Sequence, residues 1–172
     1  MKNIFAIIGS AQQNSSNLKL VQLLARHFAD DLLIDIFDDL QLLPHFNAVQ
    51  TLENSPQVIQ DIREKIAVAD AVIISSPEYI FSIPAGLKNL MEWCVATTVF
   101  TGKPAAIVVA SADGRKSFEE IKLILKTLGA VFTDDTCLLI NGIKGKFSTE
   151  GQIEPTTRNA LVRVLNHLRE ML

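Results

Sequence analysis

Apolar and polar positions alternate along this chain in blocks, and the blocks change period. Ile4 to Ile8 is a continuous apolar run that stops at Gly9-Ser10. Runs of this kind suit strands buried on both faces, as in a parallel sheet. Leu18, Val21, Leu24 or Ala25, and Phe28 then recur at spacings of three to four, which predicts a helix capped by Ser15 or Ser16. Leu32 to Phe37 reads as a second strand with Asp35 toward solvent, and Asp38 to Pro56 as an irregular polar connection punctuated by Pro44, Asn47 and Asn54. Pro56 to Ala69 carries Val58, Ile62 and Ile66 on one helical face, and Ala71 to Ser75 is a third short strand.

Pro84 suits the first position of a helix running to about Ala96. Ala105 to Ala110 predicts a fourth strand. Ser117 reads as the cap of a helix bearing Ile121, Ile124 or Leu125, and Leu128, ended by Gly129. A fifth strand lies within Ala130 to Ile140, and Thr156 to Leu172 is an amphipathic helix with Leu161, Leu165 and Leu168. Strict alternation of strand and helix implies a parallel sheet with helices on both faces. Five strands favour an α/β, flavodoxin-like three-layer sandwich with strand order 2-1-3-4-5, read as one domain over residues 1–172.

Composition narrows the class. Of 172 residues 48% are apolar, and the net charge is -3 from 16 basic and 19 acidic residues. A basic nucleic-acid domain, a disordered chain and a collagen-like chain are excluded as first readings. Two cysteines, Cys94 and Cys137, make no disulfide framework and read as buried thiols. Lys2 and the run after it faintly mimic a signal peptide, but the run is too short and is better explained as a strand. No apolar stretch approaches the ~18 residues of a membrane span. The expected setting is the cytoplasm, with no nucleic-acid or membrane partner. His27, His45 and His167 show no metal-site spacing, so no metal is expected. Asp38-Asp39 reads as solvated or helix-capping.

In this topology ligands bind beyond the carboxyl ends of strands one, three and four. The loops there are Ser10 to Asn17, Ser76 to Ile83, and Ser111 to Lys116. The first gathers hydroxyls, amides and backbone N–H groups at a helix N-terminus, which suits a phosphate and equally suits an ordinary capped loop. It is neither a GxGxxG fingerprint nor a P-loop. The second has two stiffening prolines and an apolar tip, Tyr79, Ile80 and Phe81. Such a tip meets a flat ligand or a partner chain, unless Phe81 folds back into the core.

The segment Ser76 to Trp93 also resembles the signature of the NADPH-dependent FMN reductase family, close to PEYNxSxPxxLKNxxxW. Gly9-Ser10, Gln12, Ser15 and Asn17 resemble that family's GSxRxxSxN phosphate loop. Leu43-Pro44-His45-Phe46-Asn47 resembles its LP-x-F/Y-N stretch, and Gly102-Lys103-Pro104 also fits. The resemblance implies FMN as cofactor and hydride from NADPH or NADH. Electrons would then pass to a small acceptor: a flavin, quinone, azo compound or metal oxyanion. It implies that Ser10, Gln12, Ser15, Ser16 and Asn17 hold the phosphate. Pro77, Glu78, Tyr79, Ile80 and Phe81 would line the ring, and Ser111, Ala112, Asp113 and Gly114 would form a third wall. It further implies a homodimer or homotetramer, with the Trp93 helix and the loop around His45 and Phe46 as interface candidates. No catalytic acid or base is required, because the flavin carries the chemistry.

Three departures from the pattern stand out. Gln12 replaces an arginine, so weaker FMN retention is expected. Ile80 and Phe81 replace Asn and Gly. Gly114 stands without a second glycine and is followed by Arg115-Lys116, two cations that read either as charge near a reduced flavin or a nicotinamide phosphate, or as a solvated loop. The alternative to a reductase is a flavodoxin-like electron-transfer or binding module without reductase turnover.

Overall fold

A computed structural model describes the backbone of residues 1–172 and every side chain except those of residues 52 and 53. Its sheet has five parallel strands in the order β2-β1-β3-β4-β5. These are β1 (Lys2–Ile8), β2 (Leu32–Phe37), β3 (Ala71–Ser76), β4 (Ala105–Ser111) and β5 (Cys137–Asn141). The helices are α1 (Ser16–His27), α2 (Gln50–Glu53), α3 (Gln57–Val68), α4 (Ala85–Cys94), α5 (Arg115–Thr127) and α6 (Pro155–Glu170). The order and the two-sided helical cover are those the alternation predicts.

The continuous apolar runs have a direct cause. Successive side chains in a strand point to opposite faces, so a strand covered on both needs apolar residues at every position. Phe5 and Ile7 of β1 join one core with Ile59, Ile62 and Ile66 of α3, Leu87 and Leu90 of α4, and Ile121 and Leu125 of α5. Ile4, Ala6 and Ile8 join the other, with Leu20, Val21 and Leu24 of α1 and Leu161, Leu165 and Leu168 of α6.

Several boundaries differ from the sequence expectation. Pro84 is the cap of α4 rather than its first residue, in an extended conformation (φ -58°, ψ 142°), and α4 ends at Cys94. Ser117 does not cap α5. That place is taken by Gly114 at φ 86°, where a Cβ would sit 2.9 Å from both Leu139 and Val109. The closing helix begins at Pro155, one residue earlier than expected, and ends at Glu170.

The connection read as irregular holds a 3-10 turn (Leu40–Leu42) and the short α2, and it is strapped to α4. Pro44 O accepts from Trp93 Nε1 (2.8 Å) and Asn89 Nδ2 (3.0 Å), and Asn89 Oδ1 accepts from Phe46 N (2.7 Å). Arg63 reaches from α3 to Trp93 O, Thr51 O, Thr51 Oγ1 and Ser55 Oγ. Trp93 is 0% exposed and stacks edge-on against Phe46 (5.4 Å between ring centroids). The Trp93 ring thus lies inside the protomer, because strap and helix close over it. His45 stays exposed.

Cys94 is buried, and Cys137 only partly so, where the sequence suggested two buried thiols. Burial pushes the Cys94 thiol up to about 12, with Arg63 nearby opposing the shift, and pushes Cys137 up to about 11. Both shifts disfavour the reactive thiolate at pH 8. The native chain is expected to leave Cys94 unlabelled by a disulfide reagent at pH 8 and to label the partly buried Cys137 slowly, while denatured chain labels both quickly. Rapid labelling of the native protein would contradict this burial.

Candidate functional site

The first loop is built to leave donors facing outward. Gly9 N donates to Ser75 O (2.7 Å), and a Cβ at Gly9 would meet Ser76 Oγ at 2.6 Å, so the chain turns off β1 against β3 only with glycine here. Ser15 caps α1, its hydroxyl accepting from Leu18 N (3.1 Å). Asn17 is almost fully buried. Its amide donates to Ala110 O on β4 (3.0 Å), and its oxygens accept from Ser75 Oγ on β3. Ser10 Oγ accepts from Gln12 N (3.2 Å) and shares a hydrogen bond with Tyr79 OH (3.3 Å). The Ser16 and Asn17 N–H groups lie in the first turn of α1, without intrahelical partners and with no acidic side chain in that turn. They meet an anion favourably.

The second and third loops brace one another. Glu78 N donates to Ser111 Oγ (3.2 Å), and the Glu78 carboxylate accepts from Lys116 N (2.9 Å) and Ser117 N (3.0 Å), capping α5 from outside its own chain segment. Beyond it, Tyr79 and Ser82 exchange two backbone hydrogen bonds (2.9 and 3.1 Å) across Ile80 and Phe81. Those two residues have φ 50° and 59°, the left-handed region. This is the form of a type I′ turn, which favours Asn-Gly because it needs positive φ twice. Glu120 holds its base, accepting from Ser82 Oγ (2.7 Å) and Ile83 N (3.0 Å). Ile80 is 94% and Phe81 76% exposed, so Phe81 does not fold back into the core.

These loops enclose a cavity of about 480 Å³ at the carboxyl ends of β1, β3 and β4. It brings together ten of the residues singled out from sequence: Ser10, Gln12, Ser15, Ser16, Asn17, Pro77, Glu78, Tyr79, Ser111 and Ala112. Ile80 and Phe81 stand at the tip, outside the lining, and Asp113 and Gly114 also lie outside it. Asp113 pairs with Arg115 (2.7 Å), whose hydrogen bond holds the Asp113 carboxyl below the usual carboxylate range. Lys116 faces Glu119 at 3.7 Å. Both cations of that loop are thus paired at the surface.

Sequence reasoning missed the fourth wall, Gly142, Ile143, Lys144 and Gly145, together with Ala110. The available signal was a Gly-x-x-Gly run directly after the last strand, on the sheet edge where ligands bind. A larger cavity of about 590 Å³ lies between α1 and the 147–153 hairpin and touches none of these loops. The strand ends and the N-terminus of α1 converge on the smaller one.

Two separately placed hydroxyl and amide clusters, a helix N-terminus and an apolar wall fit a phosphate-bearing flat ligand such as FMN. Among the described residues no cluster of three or more His, Cys, Asp or Glu could hold a metal, and no helix is long and apolar enough to cross a membrane.

A family model described as NADPH-dependent FMN reductase matches residues 2–144. A Vibrio ruber protein, the NADH:(hydroxy)cinnamate reductase subunit CrdA, is 37% identical over 157 residues, 88% of this chain and 77% of that one. A quinone reductase of Escherichia coli is 29% identical over 176 residues, 98% of this chain and 90% of that one. The solved structure of FerB, a flavoenzyme NAD(P)H:(acceptor) oxidoreductase from Paracoccus denitrificans, superposes with a TM-score of 0.77 over 99% of this chain and 97% of that one. At 21% identity it speaks for the fold.

Proposed function

The chain belongs to the NADPH-dependent FMN reductase family, an NAD(P)H-dependent oxidoreductase using FMN, and on that premise we propose that it passes hydride equivalents from NAD(P)H through FMN to a small acceptor of the quinone or flavin class. The observation that carries this reading is the cavity in which the first and second loops meet at the strand ends. In it Gln12, Ser16 and the N–H groups of Ser16 and Asn17 would hold the phosphate. Ser10, Ser15 and Asn17 position that loop, since their side chains already bond within the chain. Pro77, Glu78, Tyr79, Ser111 and Ala112 would line the ring. FMN supplies the two-electron chemistry, and the protein supplies orientation and exclusion of water.

Purified protein is expected to bind FMN at micromolar concentration and to oxidise NADH or NADPH only when FMN and an acceptor are present, with the parallel-line kinetics of two substrates using one site in turn. Protein that takes up no FMN overturns the reading.

Two observations favour a second reading, electron delivery to another protein. The Vibrio ruber relative is named a subunit, and Ile80 and Phe81 are exposed at the rim of the cavity. NAD(P)H consumption that requires a partner protein and is not supported by quinones or free flavin would favour this reading.

A further inference from the structure

The cavity at the strand ends is lined by one cation, and neither sequence motif contains it. We infer that Lys144 is the cationic partner of the FMN phosphate in this chain, an inference that rests on the FMN reading above. A phosphate monoester carries about -1.5 to -2 charges at neutral pH. Residues Ser10 to Asn17 include no lysine or arginine. The donors there are a neutral amide, a hydroxyl, backbone N–H groups and the partial positive charge of a helix end, about half a unit. These hold a phosphate but leave most of its charge unbalanced.

Only two of the fifteen residues around the cavity are ionised, Glu78 and Lys144. The Glu78 carboxylate is turned toward the first turn of α5. Lys144 is unclaimed. Among the described residues no carboxylate lies within 4 Å of its Nζ, whereas the neighbouring Lys146 is held by Glu154 at 2.8 Å and the third-loop cations by Asp113 and Glu119. Its backbone is fixed on both sides. Gly142 N donates to Ala112 O (3.1 Å), Gly145 N to Gly142 O (2.9 Å), and Ile143 is buried in the core under α1 and α6. The loop after β5 thus holds a lysine at the cavity wall without an internal partner.

The test titrates FMN and riboflavin separately into wild-type protein, Lys144→Ala and Lys144→Arg, by quenching of flavin fluorescence at several salt concentrations. Riboflavin shares the ring and lacks the phosphate. Lys144→Ala is expected to weaken FMN about 10- to 100-fold, the range of a charge-assisted hydrogen bond, while leaving riboflavin binding within about twofold. It should also flatten the salt dependence of FMN binding, and Lys144→Arg should keep FMN near wild type. Unchanged FMN affinity in Lys144→Ala overturns the inference, as does an equal loss of FMN and riboflavin, which would mark a loop-shaping role. Unchanged FMN affinity with a raised KM for NADPH would instead give the lysine to the nicotinamide cofactor. Wild-type protein that binds neither flavin overturns the FMN reading itself, an outcome visible before any variant is made.

Discussion

Trp93→Ala is expected to lower the stability of the fold by about 3–5 kcal/mol, the usual range for deleting a buried aromatic ring. The indole is wholly enclosed, packs edge-on against Phe46, and donates its N–H to Pro44 O. Most of the loss comes from the cavity rather than from the hydrogen bond, because Asn89 Nδ2 also donates to Pro44 O and keeps it satisfied. Native domains hold only about 5–15 kcal/mol in total, so the variant sits near the edge of folding. Its thermal midpoint should drop on the order of 10 °C. Trp93→Phe keeps the contact with Phe46 and should lose about half as much. Unfolding is best followed by far-ultraviolet circular dichroism, since Trp93 is the sole tryptophan and its fluorescence leaves with it. A loss below about 1 kcal/mol in Trp93→Ala would contradict the packing described for the strap.

The second large effect has the opposite sign. Ile80→Asn combined with Phe81→Gly is expected to raise stability by about 1–3 kcal/mol. Each of these L-residues sits at positive φ, at a cost of roughly 1–2 kcal/mol, and β-branched Ile80 is the less suited of the two. Glycine returns part of the gain, about 0.5–1 kcal/mol, through the freer unfolded chain. Little packing is lost, because both side chains project into solvent. The turn itself survives, since Tyr79 and Ser82 close it through backbone groups. A urea midpoint that rises at constant slope verifies the effect, and one that falls refutes the strain. Strain kept at the rim of a binding cavity points to side chains with a use there, so acceptor KM is the second quantity to read in this variant.

The layout of the sheet was legible because parallel strands covered on both faces leave unbroken apolar runs such as Ile4 to Ile8 and Ala105 to Ala110. Ten of the cavity's lining residues were legible because the loops after β1, β3 and β4 carry polar and turn-forming residues where the topology binds ligands. The rest had weaker signals. Ile80 and Phe81 read as ligand contacts from their apolar character and the family resemblance, and nothing in their residue types announces their positive φ. Gly114 as a cap was masked by Ser117, a better cap by composition, which instead lies buried in the first turn of α5. Gly142 to Gly145 lie outside both sequence motifs, although Lys144 among them is the cavity's single cation. The enclosure of Trp93 was not legible, because the strap that covers it comes from residues about fifty positions earlier in the chain.

The strap around residues 44–55 is gripped mostly by its main chain. Asn89 and Trp93 hold the carbonyl of Pro44, Asn89 the amide of Phe46, and Arg63 the carbonyl of Thr51, with Thr51 Oγ1 and Ser55 Oγ as the side-chain exceptions. Any residue offers a carbonyl, and any but proline an amide. Sequence drift should therefore be freer along the strap, away from Asn47, whose Oδ1 accepts from Val49 N and Gln50 N, than at its distant anchors, so that a random-mutagenesis library selected for folding would accumulate changes at His45 and Ala48 while leaving Arg63, Asn89 and Trp93 alone.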